Sequence, residues 1–140
     1  MATTPEARFS KRVREGLLPL GCDIERIENR VNLGVPDMLV GIGPAFVGLE
    51  LKAVTRGLKV ELRPHQVAFM TRHTAKGRPC FVLVLQEGTT KRPSLIHLYG
   101  GHQAIALLEQ GLRLPALASW PARGMPWDAL LHWLSRPNLP

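Results

Sequence analysis

Apolar residues recur every four positions at Phe9, Val13 and Leu17, the repeat of a helix with one buried face. Thr4-Pro5-Glu6 opens that helix with a capping residue followed by proline at the first helical position. The pattern therefore predicts an amphipathic helix over Pro5–Leu18, ended by Pro19. Gly21 turns the chain into a weakly alternating extended segment, Cys22–Asn29. Asp37–Ile42 and Ala45–Val54 are apolar runs of strand length, and Gly41-Ile42-Gly43-Pro44 between them predicts a hairpin. Pro64 marks a second helix start, with Val67, Met70, Thr71 and Thr74 as its packing face and Gly77 as its stop. Phe81–Gln86 is apolar throughout, as a strand buried on both faces would be, and Ser94–Tyr99 is another strand after the Gly88–Pro93 turn. Gln103–Gln110 is predicted helical up to Gly111. The proline- and tryptophan-rich remainder holds one predicted helix, Trp127–Leu134. The order α-β-β-β-α-β-β-α, then the tail, predicts an α/β fold with a central mixed sheet flanked by helices.

The length of 140 residues, with 45% hydrophobic and 21% charged residues, suits one soluble globular domain. The longest strongly apolar run, Phe81–Leu85, is too short to cross a membrane as a helix. Residues 1–16 lack the apolar core of a secretory signal, and Glu6 and Glu15 argue against a mitochondrial presequence. Two cysteines, Cys22 and Cys80, make neither a disulfide scaffold nor a four-cysteine zinc site, so a reducing cytoplasm is the expected location.

Charge changes the picture once it is located. Between Lys52 and Arg92 lie nine basic residues against Glu61 and Glu87, which accounts for the whole net charge of +7. Such a distribution favours a polyanion, most simply nucleic acid. The plainer reading is a solvated basic face that keeps the protein soluble.

The hairpin carries the sharpest chemical signal: Pro36-Asp37, then twelve residues, then Glu50-Leu51-Lys52. Residues two apart on a strand share a face, so Glu50 and Lys52 project together while Leu49 and Leu51 face the other way. A turn centred between Gly43 and Pro44 sets residue 37 opposite residue 50, bringing two carboxylates and an ammonium onto one patch. Paired carboxylates repel unless a cation lies between them, and oxygen ligands suit Mg²⁺ or Mn²⁺. A metal held there can activate water and neutralise charge on a phosphate. A Glu/Lys pair on a solvated strand face is the plainer alternative. Against it, these charges interrupt Ala45–Leu49, a run otherwise fit for burial.

Gly34-Val35-Pro36-Asp37, Gly48-Leu49-Glu50-Leu51-Lys52 and Leu62-Arg63-Pro64-His65-Gln66 resemble the motifs of the PD-(D/E)XK nuclease superfamily. Within it, the chain is most similar to the small VRR-NUC domains, common in phages and related to Holliday-junction resolvases. The resemblance spans about residues 5–86. It implies a restriction-endonuclease-like fold, with Asp37 and Glu50 as metal ligands, the Leu51 carbonyl as a third, Lys52 as the catalytic lysine and Gln66 as a supporting residue. Many relatives place a glutamate in the first helix. Glu6 is the best match and Glu28 a second candidate; for Glu6, a favourable charge at a helix N-terminus is the competing reading.

The expected function is a Mg²⁺- or Mn²⁺-dependent DNA endonuclease acting on branched or junction DNA in phage or bacterial recombination and repair. Arg56, Lys59, Arg63, Arg72, Lys76 and Arg78 are the expected phosphate contacts. The alternative is a non-catalytic nucleic-acid-binding module. Residues 1–100 are expected to form the nuclease core, with 101–140 a helical extension packing on it within the same domain. Ile105, Leu107, Leu108, Trp127, Leu130, Leu131 and Leu134 exceed what the nuclease core requires; the two readings are that they close the core opposite the active site and that the remainder forms the surface of an expected homodimer. No P-loop, dinucleotide fingerprint, nucleophile elbow or histidine–cysteine zinc spacing competes with this reading.

Overall fold

The computed structural model describes residues 3–27 and 34–136. The first helix, α1 (Pro5–Leu17), begins as its sequence predicts, with the Thr4 hydroxyl accepting from the Ala7 N–H at 3.0 Å. It runs into a single 3₁₀ turn at Leu18–Leu20. Six strands follow with two helices among them and one after: β1 (Asp23–Arg26), β2 (Met38–Ile42), β3 (Ala45–Val54), α2 (Pro64–Ala75), β4 (Cys80–Gln86), β5 (Leu95–Gly100), α3 (Ala104–Gln110), β6 (Ala118–Pro121) and α4 (Trp127–Leu134). They form one sheet in the order β1-β2-β3-β4-β5-β6. All neighbours are antiparallel except β3 and β4, which run parallel and are joined by the crossover that carries α2.

The two faces of β3 are covered by different helices. Val47, Leu49 and Leu51 join Phe9, Val13 and Leu17 of α1 and Leu130 and Leu134 of α4 in one apolar cluster. Val54, Val82 and Val84 join Val67 and Met70 of α2 and Leu107 of α3 in the other. This is the α/β architecture expected, a mixed sheet between two helical layers.

The tail differs from its expected form. Ala118–Pro121 is a strand, pairing Ile96 with Trp120 and His97 with Ser119. Four residues ending in a proline carry too little alternation to read as a strand; pairing to β5 supplies what local pattern lacks. Of the seven apolar residues divided between closing the core and a dimer surface, Leu107, Leu130 and Leu134 are buried, and Trp127 and Leu131 pack against the core. Ile105 and Leu108 are the two that stay exposed. On α2, Thr71 faces solvent and Phe69 packs inward beside Val67 and Met70. The helix is rotated toward the larger apolar ring.

Candidate active site

The site forms where β2 falls short of β3. Their register pairs Met38 with Leu49, so one further step sets Asp37 opposite Glu50, as the hairpin spacing predicts. There β2 ends, and the edge of β3 is taken up by side chains. Asp37 Oδ2 accepts the Leu51 N–H at 2.8 Å. The Ala53 N–H donates to the Glu6 carboxylate from the first turn of α1. Because a strand residue's N–H and C=O point to the same side, the Leu51 carbonyl also faces this vacated edge.

Gly34 lets the incoming chain reach this position. Its φ is +79°, and a β-carbon there would collide with the His65 backbone at the start of α2. Only glycine permits so close a crossing. The segment from Gly34 to Asp37 is thereby pressed between the hairpin and the N-terminus of α2, the helix that delivers Gln66.

Glu50 and Lys52 lie on the α2 face of β3 and are buried to 2% and 6% exposure. Lys52 Nζ stands 3.4 Å from Glu50 Oε2. The same oxygen accepts from Gln66 Nε2 at 2.8 Å, while Gln66 Oε1 accepts the Arg63 N–H at 2.9 Å. One amide therefore caps α2 and fixes the carboxylate. The other oxygen, Oε1 of Glu50, is buried with no hydrogen-bond partner among the described residues. Burial and then the neighbouring Asp37 carboxylate push the Glu50 pKa up to about 8, against the opposing pull of Lys52.

These features fit a divalent cation. A buried oxygen without a donor and a second carboxylate that repels it are relieved together by positive charge between them. No three His, Cys, Asp or Glu side chains converge into a metal cage among the described residues. The donor set is two carboxylates and a backbone carbonyl, the sparse oxygen ligation Mg²⁺ accepts while it keeps several waters.

A cleft of about 130 Å³ opens beside Asp37, lined by Glu6, Ala7, Ser10, Arg26, Ile27 and Leu51. Glu6 thus stands at the site. Partial burial raises its pKa, which Lys52 lowers and Asp37 raises again. Glu28 lies outside the described residues. Ser10 and Arg26 were not singled out by sequence. Ser10 is one helical turn beyond Glu6, a spacing that could have signalled it, whereas Arg26 reaches the cleft only through the pairing of β1 with β2.

The expected phosphate contacts divide. Arg56 and Lys59 follow the end of β3, and Arg63 caps α2 beside the site. Arg72 and Lys76, with Arg78 just after them, stand at the other end of α2, a helix of 12 residues and about 18 Å in length. All six are exposed. No helix is long and apolar enough to cross a membrane among the described residues.

No family model and no curated protein matches the chain. Among solved structures it is similar to a VRR_NUC domain, at 25% identity over 76% of this chain and 97% of that one, with a TM-score of 0.49. It is also similar to Hjc of Archaeoglobus fulgidus, a Holliday junction resolvase, at 16% identity over 69% of this chain and 77% of that one, with a TM-score of 0.51. The chain has the restriction-endonuclease-like fold of that resolvase.

Proposed function

We propose that this protein is a divalent-metal-dependent nuclease of the PD-(D/E)XK type that hydrolyses phosphodiester bonds in DNA, with branched or junction DNA as its substrate. One observation carries the reading: a buried Glu50–Lys52 pair in a central strand, facing Asp37, with a Glu50 oxygen that no group among the described residues satisfies. Folding alone gains nothing from that arrangement. The fold shared with a resolvase and the three sequence motifs support it.

Asp37, Glu50 and the Leu51 carbonyl would hold Mg²⁺ or Mn²⁺, with Glu6 bordering the same cleft. The bound cation would polarise the scissile phosphate and lower the pKa of a water. Gln66 keeps Glu50 in one orientation. Lys52, 3.4 Å from Glu50 Oε2, donates to the attacking water and offsets the hydroxide charge as it develops. Arg56, Lys59 and Arg63 bind flanking phosphates, which supplies affinity without reading sequence. Residues 101–136 are read as part of the same domain as the nuclease core, and the homodimer remains part of the proposal.

The test is a cleavage assay with Mg²⁺ on four-way junctions, flaps, nicked duplex and linear duplex. Branched substrates are expected to be cut fastest. Tight binding with no cleavage of any substrate, in Mg²⁺ or Mn²⁺, would favour the non-catalytic module.

A further inference from the structure

Phe46 is the most exposed large apolar side chain among the described residues, at 59%. It sits near the hairpin end of β3 on the same face as Glu50 and Lys52, four residues from Glu50 and so about 13 Å along the strand. Its ring rests across Gly41, where a β-carbon would come within 3.3 Å of the ring edge, and Asp23 borders that seat. The parallel register pairs Gly48 with Cys80, and the Gly48 N–H donates to the Pro79 carbonyl at 3.0 Å. Arg78 comes just before Pro79 and so lies toward the same end of the sheet as Phe46. The C-terminal end of α2 brings Arg72 and Lys76 to the same end of the same face. An open aromatic ring is thus built at a fixed distance from the candidate site, with Asp23 beside it and three cations toward the same end of the sheet.

The geometry points to a second DNA contact here, one that stacks an unpaired nucleotide on Phe46 while Arg72, Lys76 and Arg78 hold its phosphates. The inference rests on the nuclease reading and deepens it by naming the substrate class. Bases inside a duplex are already stacked and offer no face to a protein ring, whereas single-strand sites combine an aromatic platform with a basic groove. At 3.4 Å of rise per nucleotide, 13 Å corresponds to about four nucleotides. The preferred substrate is therefore DNA that changes from paired to unpaired about four nucleotides from the scissile phosphate.

Fluorescence anisotropy without metal, using the full chain, tests this with a labelled splayed-arm DNA and a fully paired duplex of equal length. Phe46→Ala is expected to weaken splayed-arm binding about tenfold and duplex binding less than twofold. Phe46→Trp should bind like the parent, and Phe46→Leu should fail like alanine. The proposal is overturned if Phe46→Ala changes neither affinity, if both fall equally, or if Phe46→Leu binds normally. It is also overturned if light scattering shows that Phe46→Ala splits a dimer, since the ring would then cover a second copy. Cleavage that needs Asp37 alongside binding indifferent to Phe46 would remove this contact alone. Phe46-dependent binding without any cleavage would remove the nuclease reading instead.

Discussion

Two Glu/Lys pairs, each with one residue between its members, stand within twelve positions of one another. Glu50 and Lys52 are 3.4 Å apart with side chains 2% and 8% exposed; Lys59 and Glu61 are 3.7 Å apart at 74% and 78%. Composition and spacing are the same, yet the physics differs. The second pair sits in water, where such a contact is worth about 0–1 kcal/mol and salt screens it. The first is withdrawn from water, and its attraction is set against a desolvation cost of several kcal/mol for each charge. The neighbouring strand sharpens the contrast: Val82 and Val84 of β4 are the register partners of Glu50 and Lys52 and fill the same layer with methyl groups. Valine serves folding at those heights, so the charges in β3 answer a different demand.

The largest effect comes from removing the charges that would meet the metal. Asp37→Asn and Glu50→Gln should each lower the Mg²⁺-dependent cleavage rate by about a thousandfold or more. DNA binding should hold or strengthen, because negative charge facing phosphate is lost. Wild-type rates in both variants would sink the site.

Next is the linkage between pH, metal and stability. The Glu50 pKa rises from 4.5 to about 8 on folding in the absence of metal, so the folded state binds more protons than the unfolded one between those values. Stability of the metal-free protein should therefore fall as pH climbs from about 4.5 to 8, by at most about 1.4 kcal/mol per unit. Mg²⁺ bound at Glu50 would reverse that penalty, and its gain in Tm should be greater at pH 8.5 than at pH 5.5. Thermal melts across this range check both, and Glu50→Gln should flatten them. A parent protein whose Tm ignores Mg²⁺ at every pH would count against the donor set.

A third experiment turns β3 into the likeness of β4. Glu50→Leu combined with Lys52→Met replaces a buried ion pair with apolar groups of similar volume, a change that is often neutral or stabilising by about 1–4 kcal/mol. Denaturant unfolding should show a stable protein, and the cleavage assay an inactive one. A double variant that fails to fold would show that the pair holds the strand in place.

Much of this contrast is legible in the chain itself. Ala45–Leu49 marks the strand around Glu50 as one to be buried, and the spacing from Asp37 fixes the register once the turn is placed. Helix starts at Pro5 and Pro64 are equally plain, because proline and its neighbours act locally. What stays hidden depends on pairing between distant segments. Arg26 reaches the cleft through a neighbouring strand, Ala118–Pro121 becomes a strand only against β5, and Gln66 is tied to Glu50 by a crossover. The six basic residues read as one group, yet α2 carries them to two ends of a helix. A linear count of charge cannot see that separation.

The smallest expected effect is on the exposed pair, and it tests the comparison from the other side. Lys59→Ala breaks the contact with Glu61 at 3.7 Å, both side chains mostly in water, so the Tm should barely move, in keeping with a loss below about 1 kcal/mol. If Lys59 neutralises a phosphate, the slope of log affinity against log salt on duplex DNA should become shallower by about 0.9. Charge at this position then serves the partner and leaves the fold alone, the reverse of Lys52→Ala, which should abolish most of the cleavage rate while salt dependence stays near the parent value. An unchanged salt slope in Lys59→Ala would return this pair to the solvated face that keeps the protein soluble. The buried pair would then be the only one of the two with a part in DNA chemistry.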